Sequence, residues 1–398
     1  MRCAPMLSVA AAALLLSGCA SLSTLWPAQS DGGQAATVAV SKAAPDTATG
    51  RISVQWRNNV DQRKPASPPG FSLPAEIETA HGRVIIVGGQ DRRLRIYSPD
   101  GRELDRIAMA HAGESGVLRL SNGLVVVGDV GGVLYGIDPN SRRVVWRKQL
   151  TAGLTGRPVA AGDDFIVQLS NNQVYRFHAN GDKVWSFSGL LGGLGIHLTP
   201  SPVVYQGRVY TVLSNGDVIA LNVENGNFVW KRQLLLSNKA AVMSEVKIPA
   251  ATPLVIPAGQ SGRGEAMLLV SIYQGDLTFL SLQDGSTLNT RKISLKSQPL
   301  LIDDVVYIAD AAGAVSALST ATAATLWKKQ LSDGGLTGPA LWQGNLWVAD
   351  DHGRVFRLDR NGRVQAGKQL AGRIDRAPVA SADGVLVRNS LGTLYLLR

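Results

Sequence analysis

The chain has 398 residues, 45% hydrophobic side chains, 43 glycines, two cysteines and a formal net charge of +10. This is the composition of a globular body, and beyond the N-terminal stretch no apolar run approaches the ~20 residues of a spanning helix. With only Cys3 and Cys19, both at the N-terminus, the body has no cysteine to cross-link and must be held by packing.

In chain order, the first element is a secretory leader. Arg2 supplies its positive end and Met6 to Leu16 its apolar stretch, too short to cross a bilayer as a helix. Leu16-Ser17-Gly18-Cys19 closes it as a lipobox, the site at which a bacterial leader is cut so that the new N-terminal cysteine carries lipid. Residues 1–18 are therefore expected to be removed, Cys19 to be lipidated, and the remainder to be periplasmic and anchored. Ala20 rather than Asp after the cysteine favours the outer membrane. Export argues against nucleic acid as a partner. The basic pairs Arg92-Arg93, Arg142-Arg143, Lys231-Arg232 and Lys328-Lys329 are scattered, as charges on solvent-facing strand and turn positions are.

Residues 19–50 are rich in Ala, Ser, Thr and Gly and read as a flexible tether with a span of roughly 30 Å. From residue 51 to 398 the chain is a repeat. Its clearest copy is Gly207-Arg208-Val209-Tyr210-Thr211-Val212, Asn215-Gly216-Asp217-Val218-Ile219-Ala220-Leu221 and Asn225-Gly226-Asn227-Phe228-Val229-Trp230. Each piece alternates apolar and polar residues over a strand's length, and Asn-Gly pairs are preferred hairpin turns. The position of Leu221 recurs at Ile96, Ile137, Phe177, Leu280, Leu318, Leu358 and Leu397, with spacings of 41, 40, 44, 59, 38, 40 and 39. Eight copies of a unit of about forty residues predict an all-β, eight-bladed β-propeller of four-stranded antiparallel blades.

Trp146, Trp185, Trp230 and Trp327 follow the repeat position by eight or nine residues, on the expected last strand of a blade, and read as blade-to-blade packing. The last copy stops at Tyr395-Leu396-Leu397-Arg398, before that strand. Ile52-Ser53-Val54-Gln55-Trp56 has the missing pattern, so an N-terminal strand is expected to complete the last blade and close the ring.

Motifs for catalysis are missing: there is no Gly-x-Ser-x-Gly, no His-Glu-x-x-His and no Cys/His cluster. His81, His111, His178, His197 and His352 fall in different repeats or loops. Gly259-Gln260-Ser261-Gly262-Arg263-Gly264 lacks the Lys-Ser/Thr of a phosphate loop and reads as a loop tip. Asp163-Asp164, Asp303-Asp304 and Asp350-Asp351 fall where turns are expected. No catalytic residue, metal or cofactor is assigned.

Two segments depart from the repeat. Gly189-Leu190-Leu191-Gly192-Gly193-Leu194-Gly195-Ile196-His197-Leu198 places aliphatics among glycines between blades, where they are either folded under the propeller or offered to a partner. An insertion over about Leu235 to Gly264 accounts for the 59-residue spacing.

The lipobox, the tether and eight copies of a Gly-x-Val-x-Ala-Leu-(Asp/Asn)…Gly-x-x-x-Trp cadence resemble the BamB family of outer membrane protein assembly factors. The resemblance implies a non-enzymatic lipoprotein of the barrel assembly machinery that docks on the periplasmic POTRA domains of the BamA subunit. It also implies a docking loop with a Leu-x-Leu-Arg core, whose place is taken here by Leu194-Gly195-Ile196-His197 ahead of Pro200 and Pro202. Leu194, Ile196 and His197 are thus the partner-binding candidates, with His197 where the family has Arg. The family's second contact, Asp-x-Asp before Thr-Pro, falls at Ile248-Pro249-Ala250 before Thr252-Pro253, and both acids are absent.

Two alternatives compete. A quinoprotein (PQQ) dehydrogenase shares the cadence but needs calcium ligands, a catalytic aspartate and commonly an adjacent-cysteine ring that this body cannot form. A lipid-anchored propeller that binds another envelope protein or a glycan has the same fold with a different surface.

Overall fold

The computed structural model describes residues 50–61, 72–190, 199–235 and 247–398. They form eight four-stranded antiparallel sheets arranged as the blades of a propeller. Blade 1 spans 75–108, blade 2 118–149, blade 3 159–188, blade 4 203–233, blade 5 254–291, blade 6 300–330 and blade 7 336–369. Blade 8 joins 379–397 to the N-terminal strand Val54–Asn59. First strands of neighbouring blades touch one another and so line the axis, while the last strands form the rim. The second and third strands are buried on both faces and often read as continuous apolar runs, such as Met267 to Val270 and Val218 to Leu221. Blades therefore bury their faces only by stacking.

The repeat position lies on the third strand of each blade, immediately after a β-bulge against the outer strand in blades 1 to 7. One assignment is corrected. Ile85 opposes Tyr97 as Val209 opposes Leu221, and the blade 1 bulge falls between Ile96 and Tyr97. Tyr97, not Ile96, is the equivalent residue, because the bulge adds a residue to the outer strand and leaves the inner register intact.

The expected closure is present: Trp56 opposes Leu396 and Asn59 opposes Thr393. Pairing reaches back to Ser53, whose N–H donates to the Arg398 carbonyl at 2.8 Å. Ile52 precedes this strand and is fully buried beside Ala366 of blade 7 and Leu397 of blade 8, while the Gly50 N–H donates to the Gln365 carbonyl at 3.0 Å.

The rim tryptophans share one contact. The indole N–H of Trp146, Trp185, Trp230, Trp327 and Trp56 donates to a carbonyl of the following blade, at Ala179, Val223, Leu282, Arg360 and Pro99 respectively, at 2.8–3.1 Å. Each ring lies against a turn glycine with positive φ, namely Gly181, Gly226, Gly285, Gly362 and Gly101. A Cβ at any of the five would stand 2.5–3.0 Å from the ring, so the close approach needs glycine as much as the turn does. Burying such a ring removes ~150–250 Å² from water, and the N–H finds its acceptor in the same step.

Around the axis six inner strands begin just after Pro74, Pro158, Pro202, Pro253, Pro299 and Pro378, where no ladder N–H is needed, and in blade 7 Pro339 sits at the irregularity inside Leu336–Trp342. Polar groups beside them form a belt. The Arg157 N–H donates to Ser201 Oγ (2.7 Å), the Ser201 N–H to Thr252 Oγ1 (3.1 Å), Gln298 Nε2 to the Pro253 carbonyl (2.9 Å), Ser297 Oγ to the Gly338 carbonyl (2.8 Å) and Thr337 Oγ1 to the Arg376 carbonyl (3.2 Å).

The insertion is also corrected. The strand Leu254–Ile256 lies within it as the inner strand of blade 5. The extra length is split between the connection 234–253 and the turn 257–266, which holds one helical turn, Ala258–Ser261. A three-residue strand is too short to show an alternation in sequence.

Candidate functional site

The two faces of the propeller differ in loop length. One face carries the first-to-second and third-to-fourth strand turns. The other carries the second-to-third turns and the connections that run from each rim strand to the next inner strand. Five of these connections have five to nine residues; the three long ones are 60–74, 189–202 and 234–253. All three lie on one face, and the last two flank blade 4. Long connections on a rigid array are where binding residues are carried.

The stems of 189–202 are fixed by side chains. Asn172, buried and at φ 63°, donates from Nδ2 to the Leu190 carbonyl (2.6 Å) and to Ser214 Oγ (2.8 Å), and its Oδ1 accepts from the Ser214 N–H (2.9 Å). Its carbonyl accepts from the Gly189 N–H at 3.1 Å. At the far end the Thr199 N–H donates to Thr155 Oγ1 at 2.8 Å. The Ser201–Thr252 bond then ties this connection to the next one. Leu190, at 73% exposure, is the most exposed large apolar side chain among the described residues. The expected anchors Leu194, Ile196 and His197 follow it but lie outside the described residues, as does Cys19. Asn172 was not singled out from sequence; the only local sign is the pair Asn171-Asn172, one of which can take a left-handed turn.

The segment expected to match the second family contact is pinned down rather than presented. Ile248 exchanges backbone hydrogen bonds with Tyr273 in the blade 5 turn, and Pro249 is buried. Lys296 lies over the Tyr273 ring, 5.8 Å from its centre, and 3.5 Å from Asp351.

Other candidates resolve into turn chemistry. Asp350 Oδ1 accepts the His352 and Arg354 N–H groups (3.0 and 2.7 Å), and Asp350 is also ion-paired with Arg354 at 2.6 Å. His111 and His352 each stand 3.6 Å from an aspartate on the connection-bearing face, whereas His178 meets Asp164 at 2.9 Å on the opposite one. Among the described residues no three His, Cys, Asp or Glu side chains are grouped as a metal site. The basic pairs Lys231-Arg232 and Lys328-Lys329 lie on rim strands, where charge blunts an unpaired edge.

The family described as outer membrane protein assembly factor BamB matches residues 90–329 and 311–397. This chain belongs to the BamB family. The BamB of Yersinia pestis is 24% identical over 285 residues, 71% of this chain and 70% of that protein. The crystal structure of BamB from Moraxella catarrhalis superposes with a TM-score of 0.72 at 18% identity, covering 87% of this chain and 99% of that one. A quinohemoprotein alcohol dehydrogenase from Pseudomonas putida reaches a TM-score of 0.67 at 12% identity, covering 88% of this chain and 76% of the enzyme. At such identities both structural likenesses are of fold, and it is the family match that separates this BamB relative from the enzymes sharing its architecture.

Proposed function

We propose that this chain is a non-enzymatic lipoprotein scaffold of the outer membrane β-barrel assembly machinery, docking on BamA POTRA domains with its connection-bearing face. The observation that carries the reading is the gathering of all three long connections on that face, with the stem of 189–202 clamped by Asn172 and Leu190 left in solvent. Membership of the BamB family supports the assembly role. In an extended loop Leu194 and Ile196 point the same way, and each aliphatic anchor buried by a partner contributes about 1.5–3 kcal/mol. His197 follows them in sequence and would serve as a rim group. The loop backbone can also pair with a sheet edge, adding main-chain hydrogen bonds to side-chain anchoring.

In this reading residues 1–18 are the leader, Cys19 carries the lipid, and 19–50 are the tether, holding the propeller on the periplasmic side of the outer membrane within a reach of roughly 30 Å. The propeller then positions the periplasmic arms of the machine while barrel strands are delivered. The test is co-purification of BamA from solubilised envelopes. Changing Leu194 and Ile196 together to Asp should abolish it without altering circular dichroism or melting, and Cys19→Ala in the same cells should leave an uncleaved precursor. Undiminished capture by the double variant would move the interface to another loop, with 234–253 the next to test.

A further inference from the structure

A cavity of about 460 Å³ is lined by residues at or just before the inner strands of five blades, including Leu73 before blade 1, Thr252 before blade 5, Gln298 before blade 6 and Arg376 before blade 8. Blades 1 and 5 are on opposite sides of an eight-membered ring, so a cavity touched by both lies on the axis. Its walls are mixed. Leu73, Leu300, Leu341 and Val379 are apolar, while Lys296, Gln298, Asp375 and Arg376 bring polar groups.

Three of these charges have opposite charges at hand. Lys296 is 3.5 Å from Asp351, Asp375 is 3.0 Å from Arg373, and Arg376 lies in the field of Glu114 and Asp375. Arg157 differs. It occupies the residue before the strand-start proline in blade 3, the register position that Leu73, Thr252, Gln298 and Ala377 occupy in the cavity wall. Its backbone is linked through Ser201 to Thr252 by the belt. Its side chain passes along Gly116 of blade 2, where a Cβ would stand 2.8 Å from the Arg157 Cβ. Among the described residues no carboxylate or carbonyl meets its guanidinium, and the only influence on its pKa is desolvation, which lowers it. Its side chain is exposed, at the register position that lines the axis in the blades around the cavity.

We infer that the axial channel binds a small organic anion, a carboxylate on a short apolar chain, with the carboxylate on Arg157 and the chain in the axial cavity. The planar guanidinium fork matches a carboxylate in two parallel hydrogen bonds, which a lysine cannot reproduce. The aliphatic wall residues and the strand-start prolines receive the chain. No step of the docking role uses this site, and the two stand or fall separately.

The test is calorimetric titration of the full-length mature protein with hexanoate, hexanol and inorganic phosphate. Hexanoate should bind saturably, hexanol should not, and phosphate should displace hexanoate only at much higher concentration. Arg157→Gln should weaken hexanoate at least tenfold and Arg157→Lys by a smaller factor, while Arg147→Gln on the rim should change nothing. Circular dichroism melting identifies a variant that fails to fold, and Arg157→Lys then decides the outcome, since it keeps the charge and loses the fork. Absence of saturable hexanoate binding, equal binding of hexanol, equal potency of phosphate, or wild-type affinity in both Arg157 variants would overturn the assignment.

Discussion

The seam between blades 8 and 1, beside the sheet in which the N-terminal strand pairs with the C-terminal one, is built differently from the seam between blades 4 and 5. At the 4/5 seam Trp230 packs on Gly285, Arg208 donates to the Leu282 and Gln283 carbonyls (3.0 and 3.1 Å), and the interior is apolar, from Tyr210 and Val212 across to Leu268 and Leu280. At the 8/1 seam Trp56 makes the same latch, but buried charge is added. Arg388 is paired with Asp61 and also donates to the Ser72 and Gly88 carbonyls, both at 3.0 Å. Arg95, fully buried, donates to the Val60 carbonyl at 2.6 Å and pairs with Asp91. In blade 4 the rim strand Phe228–Gln233 follows its sheet neighbour through a short turn, so apolar stacking suffices there. In blade 8 the rim strand is covalently joined only to blade 1, through 60–74, so non-covalent contacts alone hold it on Thr393–Leu397, and charge-assisted hydrogen bonds to carbonyls in defined places hold it in one register.

The largest effect expected from this difference is on closure itself. Residues 50–61 touch blade 7 through Gly50, complete blade 8 through Val54–Asn59 and latch blade 1 through Trp56. Deleting residues 20–48 from the mature chain should leave melting unchanged, whereas deleting through Trp56 should lower it by on the order of 10 °C or more, since the terminal blades lose a strand and two seams open. Equal melting of the two truncations would show that the ring does not depend on its closing strand.

A smaller effect separates the seams by their chemistry. Asp61→Ala strands the Arg388 guanidinium in a buried site and should cost ~3–5 kcal/mol in urea unfolding, while Arg208→Met at the 4/5 seam, which leaves no buried charge, should cost about 1 kcal/mol. Replacing both partners, Asp61→Leu with Arg388→Met, should recover most of the loss, because the cost lies in the orphaned charge. A double variant as unstable as the single one would mean that the pair's hydrogen bonds, not its charge balance, hold the seam.

What the sequence made visible follows from these same forces. The third-strand position is buried on both sides in every blade, so its apolar identity recurs and exposes the period; the rim tryptophans are visible because one large side chain makes the whole latch. Asp61 and Arg388 are 327 residues apart, and neither belongs to a pattern, so their pairing emerges only once the ring is closed. Arg157 is likewise one unremarkable arginine before a proline until the corresponding positions of other blades are seen to line the axis. The docking face was partly visible, since the aliphatic loop breaks the repeat. The Asn172 clamp that orients its stem was not, because it joins residues 42 positions apart through one side chain.

The smallest effect concerns the latch that the two seams share. Gly285 sits at φ 72°, and a Cβ there would lie 2.6 Å from the Trp230 ring. Gly285→Ala therefore meets two separable penalties: about 1 kcal/mol for a side chain in the left-handed region, and roughly 1–2 kcal/mol for displacing the indole. Trp230→Leu removes the second and not the first. In a double-mutant cycle the alanine should cost ~2–3 kcal/mol beside Trp230 and about 1 kcal/mol beside leucine, and that difference measures the steric part of the latch. The same cycle with Gly101 and Trp56 should return a smaller steric part if the closing strand, attached to its own sheet only non-covalently, can shift away from the added methyl. Equal coupling in both cycles would show that the charged groups around Asp61 hold the N-terminal strand in blade 8 as rigidly as its hairpin turn holds the rim strand in blade 4.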